Sequence, residues 1–160
     1  MKAKSIFLIT GLTALLFIVC NSCREDSDTT KPVILLIEPA DDEVLQIGNE
    51  NGVHFEVEFS DNEMLASYKV NIHPNFDGHT HETRADSETV DFEYDKSWSL
   101  SGKNAAIHHH EIRIPENATP GAYHLMVYCT DAAGNESYIA IHVELSHEEG
   151  EEHDHDHEDE

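Results

Sequence analysis

Between residues 53 and 60 the chain reads VHFEVEFS, with Val53, Phe55, Val57 and Phe59 alternating against His54, Glu56 and Glu58. A period of two sends successive side chains to opposite faces, so this segment predicts a strand buried on one side. The phase recurs in SYKVNIH, with Tyr68, Val70 and Ile72 inward, and in AYHLMVYC, with Tyr123, Leu125, Val127 and Cys129 inward. It recurs again in YIAIHVEL, with Ile139, Ile141, Val143 and Leu145 inward. PVILLIEP is a short apolar run closed by prolines, which suits an edge strand better than a helix. Strands are thus expected at 33–38, 53–60, 66–73, 107–114, 122–130 and 137–145, and no long helix is indicated. Residues 74–106 exceed an ordinary connection, and VDFEYDKSWSL within them predicts one more strand, with Tyr94 and Trp98 as packed aromatics.

Several short strands separated by Asp-Asn, Pro-Gly and Gly-Asn turns predict an all-β antiparallel sandwich. The run Pro120 to Leu125, followed by Thr130 to Asn135, resembles the penultimate strand and last hairpin of immunoglobulin-like and fibronectin-like domains. There a tyrosine at the strand start, here Tyr123, ties down the preceding corner. The fold expected is an immunoglobulin-like or fibronectin-like sandwich over 32–146, with a long insertion and disordered termini.

The first residues read as an address. Lys2 and Lys4 precede an apolar run from Ile6 to Val19, which is short for a membrane span and right for a signal peptide over 1–22. Small Ser22 directly before Cys23 fits a lipidation site better than bulky Val19 before Cys20. Residues 23–31 then form a lipidated linker, and the lipid is the expected contact with a membrane. The acidic stretch Arg24 to Asp28 resembles the export signal of Bacteroidota lipoproteins, which implies the outer membrane with the protein surface-exposed; a periplasm-facing placement is the alternative. With Cys20 removed and Cys23 lipidated, Cys129 is left alone, so an intramolecular disulfide and a Cys-x-x-Cys metal site are excluded, and any metal is expected on nitrogen and oxygen ligands. Acids outnumber bases 33 to 9 and the formal net charge is -24. That sign repels phosphate backbones and anionic head groups, so nucleic acid is excluded as a partner.

FSDNEMLASYKVNIHPNFDGHTH and SWSLSGKNAAIHHHEIRIPENATPGAYHLMVYCTDAAGNES together resemble the Bacteroidota lipoproteins grouped as domain of unknown function 4625. The resemblance spans Pro32 to Leu145 and includes the lipidation site. It implies a lipoprotein with an immunoglobulin-like fold and carries no activity or ligand.

Function is left to the histidines. In a sandwich of this topology His73, His124 and His142 fall on the outer face of one sheet, on strands about 4.8 Å apart. His79 and His81 then follow on the loop. A carboxylate such as Glu82 or Glu144 would complete a site for Zn²⁺, with Cu²⁺ or Ni²⁺ as other ions that accept nitrogen. One histidine on a wet face needs no ligand; five brought together by strand phase and sheet order are read either as a metal site or as surface histidines. In His108-His109-His110 regular alternation puts His108 and His110 on the side of Ile112 and Ile114, where each is either a partly buried ring satisfied by a backbone carbonyl or a further ligand. The tail, residues 147–160, has four histidines, nine acids and no base. It is expected to be disordered, and His153, His155 and His157 suit a divalent ion.

At the other end Asp61, Asp131 and Asn135 offer oxygens for Ca²⁺, although such residues are also ordinary turn formers. No nucleophile-elbow context appears, and no enzyme is expected. The leading reading is a lipid-anchored binding protein that captures or buffers a transition metal, chiefly zinc. The alternative is a cell-envelope interaction module for a protein, transporter or glycan partner, with the acidic tail serving solubility alone.

Overall fold

The computed structural model describes residues 28–75 and 89–148. Eight strands follow in order: β1 (Val33–Glu38), β2 (Glu43–Gln46), β3 (Val53–Ser60), β4 (Leu65–Pro74), β5 (Tyr94–Ser99), β6 (Asn104–Ile112), β7 (Gly121–Asp131) and β8 (Glu136–Ser146). They form a small sheet of order β1-β3-β6 and a large sheet of order β2-β8-β7-β4-β5. Among these eight strands all pairings are antiparallel except β2 with β8. The chain is therefore all-β and sandwich-like, consistent with an immunoglobulin-like domain.

Alternation explains how the two sheets close. Phe55, Val57 and Phe59 from β3 meet Tyr68, Val70 and Ile72 from β4 and Tyr123, Leu125 and Val127 from β7, all nearly or fully buried. Burying one such side chain contributes roughly 1.5–3 kcal/mol, so the shared phase of these strands is what joins the layers. Tyr123 closes the corner as expected: its hydroxyl donates to the Thr119 carbonyl at 2.8 Å and accepts from the Phe92 N–H at 3.2 Å. VDFEYDKSWSL supplies β5, the edge strand beside β4, and Trp98 stacks on Tyr68 with ring centroids 4.7 Å apart.

Two elements differ from the sequence reading. After β1 the chain crosses to the large sheet and forms β2, a strand of four residues whose neighbour is β8. It was not expected because EVLQ is too short to show a period. The strand expected at 107–114 runs instead over Asn104–Ile112, and its register is broken near the end.

Candidate functional site

The large sheet realises the predicted histidine row. Backbone pairing sets His73 opposite His124 and His124 opposite His142, one on each of β4, β7 and β8. Ring centroids lie 5.5 Å apart for His73 and His124 and 5.1 Å apart for His124 and His142. All three side chains project outward because their neighbours Ile72, Tyr123, Leu125 and Val143 are buried. The Nδ1 of His73 lies 2.7 Å from the Asn71 Oδ1, which orients that ring.

A regular ladder has a limit as a metal site. With metal–nitrogen bonds of about 2.0–2.1 Å, two ligand nitrogens on one ion are separated by at most about 4.2 Å. Two strand spacings come to roughly 10 Å, so neighbouring rings pair readily, and one ion shared by His73 and His142 would need both rings to lean toward His124. Carboxylates arrive at its β8 end, from Asp41 and Asp42 between β1 and β2. One ligand atom from each, with one from His142, lies within 4.8 Å of the others. Asp41 Oδ1 stands 3.6 Å from His142 Nδ1 and accepts from the His142 backbone N–H at 2.8 Å. The Asp42 N–H donates to the His142 carbonyl, also at 2.8 Å. Asp41 and Asp42, in the turn before β2, are carboxylates the sequence did not single out, while the expected Glu144 lies exposed on β8 two residues from His142.

The second histidine group corrects the sequence reading. Val53 pairs with Ile112 while Phe55 pairs with His109, so two steps along β3 match three along β6. That extra residue is a β-bulge, and it reverses the side-chain phase. His108 and His110 consequently lie on the exposed outer face, not on the side of Ile112 and Ile114. His109 is the inward ring, stacked on Phe55 at 5.0 Å and tilted against Trp98 at 5.3 Å. Its Nδ1 accepts from the Glu111 N–H at 3.3 Å, so the proton of the neutral ring sits on Nε2. Burial lowers the His109 pKa below the usual imidazole value. The partly buried ring of this triplet is therefore His109, whose Nδ1 meets a backbone donor while its Nε2 is buried without a hydrogen-bond partner.

The outward pair gains a partner that sequence reasoning assigned only to a wet strand face. His54 on β3 has ring centroids 4.8 Å from His108 and 5.1 Å from His110, and the latter two are 5.5 Å apart. One ligand nitrogen from each lies within 4.8 Å of the other two.

At the pole opposite the row, Asp61 and Asp131 approach as expected, with Asp28 as the third carboxylate. Asn135 acts as a donor: its Nδ2 reaches Asp131 Oδ2 at 2.6 Å and the Asp28 carbonyl at 3.0 Å. Asp131 is 3% exposed. Asp61 Oδ1 accepts from the N–H groups of Glu63 and Met64, while its Oδ2 is buried without a hydrogen-bond partner. The Thr30 N–H, followed by the Asn62 amide, holds the Asp28 carboxyl below its ordinary pKa. Nearby, Cys129 is buried and its thiol is pushed up to about 11, chiefly by desolvation, which keeps it out of ligand chemistry.

Cys23, His79, His81, Glu82, His153, His155 and His157 lie outside the described residues. A search of the curated proteins finds no match. The profile of the family described as domain of unknown function (DUF4625) matches residues 19–146, and the chain belongs to that family.

Proposed function

We propose that this chain is a non-enzymatic, lipid-anchored protein of the bacterial outer membrane that captures a divalent transition metal, chiefly Zn²⁺, through imidazoles on its folded faces. The observation that carries the reading is the registered row on the large sheet: His124 and His142 in ring contact, with Asp41 and Asp42 at the end of the row. Two nitrogens and two carboxylates suit Zn²⁺ or Cu²⁺, and rigid strands lower the ordering cost of bringing them together. His79, His81 and the tail histidines would add donors around this site, and Cys23 would hold it at the membrane.

Calorimetry tests this with the full, untagged chain in which His153, His155 and His157 are replaced by Ala. Zn²⁺ should give saturable heat at neutral pH, and further replacement of His124 and His142 by Ala should remove at least one binding equivalent. A flat titration of the first variant would sink the reading.

A second reading, an oxygen-ligated Ca²⁺ at the acidic pole, is favoured by the buried, partnerless Asp61 Oδ2 beside Asp28 and Asp131. Millimolar Ca²⁺ should then raise the melting temperature of the parent protein and leave that of Asp61→Asn unchanged.

A further inference from the structure

The small sheet carries a cluster that shares no residue with the row on the large sheet. His54 stands on β3 where β6 has its extra residue, so His110 and Glu111 together occupy the space that one residue would fill in a regular ladder. His108 and His110 straddle the inward His109, and the bulge turns both toward His54. Outward exposure of all three leaves their χ angles free to adjust. A tetrahedral Zn²⁺ needs its ligand nitrogens about 3.4 Å apart, given bonds of about 2.0–2.1 Å. From a separation within 4.8 Å the set has about 1.4 Å to close, a distance on the scale that rotation of exposed side chains covers.

The backbone beneath is fixed. Gly52 has φ +82°, and a Cβ there would lie 2.3 Å from the His110 carbonyl oxygen, so chain and bulge are in direct contact. His109 is wedged between Phe55 and Trp98 on the inner side. Glu56, two residues along β3 from His54, places Oε2 3.8 Å from the His54 Nε2. A carboxylate in that position orients a ligating imidazole or supplies a further donor.

We propose that His54, His108 and His110 form a three-nitrogen site for a divalent transition metal on the outer face of the small sheet, with the remaining coordination position open to water or an incoming donor. Three imidazoles favour Zn²⁺, Cu²⁺ or Ni²⁺ over Ca²⁺ or Mg²⁺, which prefer oxygen. The inference rests on the same imidazole chemistry as the large-sheet reading and on a separate set of residues, so the two can fail separately.

The test is a Zn²⁺ titration of the full chain against a chromophoric chelator, comparing the parent with His54→Ala, His110→Ala and the double variant His124→Ala/His142→Ala. His54→Ala and His110→Ala should each weaken one binding equivalent at least tenfold, and the double variant should leave that equivalent intact. Melting of the metal-free variants checks folding; His110→Ala removes a ligand without altering β3. Isotherms for both single variants that coincide with the parent would overturn the small-sheet site, even if the double variant lost zinc. Loss in the single variants with no loss in the double would overturn the large-sheet reading and keep this one.

Discussion

The two outer faces of the sandwich carry the same ligand chemistry on different backbones. On the large sheet, unbroken register sets His73, His124 and His142 one to a strand, so neighbours touch and the ends of the row stay apart. On the small sheet, one additional residue in β6 breaks the register, and His54, His108 and His110 close into a cluster. A ladder distributes like side chains along a line, whereas a bulge re-aims them toward a point. Convergence on the large sheet has to be supplied from outside the ladder, by Asp41 and Asp42.

The largest effect should come from attacking the bulge. Gly52→Ala forces a side chain into a left-handed backbone and against the His110 carbonyl. A loss of about 2–4 kcal/mol in unfolding free energy is expected, read from the denaturant midpoint. Zinc uptake by the small sheet should fall with it while the large-sheet equivalent persists in the folded fraction. An unchanged midpoint would mean that the bulge is not held by this contact.

A smaller effect should mark the other face. Tyr123→Phe removes the hydroxyl that bonds Thr119 and Phe92, one residue before His124. The expected cost is about 1–3 kcal/mol, measured in the same way. The His54 cluster, which shares no strand with β7, should keep its metal affinity.

The smallest effect is pH-dependent. Burial lowers the His109 pKa, so the folded state resists a proton that the unfolded chain accepts near the ordinary value of about 6.5. The unfolded state then binds more protons, and stability is lost as pH falls from about 6.5 toward the folded value. His109→Phe should keep the stacking against Phe55 and Trp98 and flatten that part of the stability profile. An identical slope in parent and variant would contradict the assignment.

Much of the architecture was legible because period-two alternation is strong wherever one face is buried. The phases of 53–60, 68–72, 123–129 and 139–145 followed from it, and with the sheet order of an immunoglobulin-like sandwich so did the row His73, His124 and His142. The edge strand at 33–38 was marked by its bounding prolines, and the tyrosine corner by the resemblance to immunoglobulin-like domains. The bulge was missed because nothing within HHHE marks it. A signal was nonetheless present: Ile107 and Ile112 are both inward yet five residues apart, which a regular strand cannot satisfy. Gly52, opposite the bulge, was the second sign. Tertiary contacts left no such trace. Asp28 reaches Asn135 across the domain, and Asp41 reaches His142, from segments whose sequence reads as linker and turn. The strand β2 was hidden by its length.

Metal capture by the folded faces, as distinct from the acidic tail, is open to one direct measurement. Zinc titrated into the ¹⁵N-labelled, untagged full chain should shift or broaden the amide resonances around His54, His108 and His110 and around His124 and His142. Changes confined to residues 147–160, with the strands unmoved in excess zinc, would contradict it.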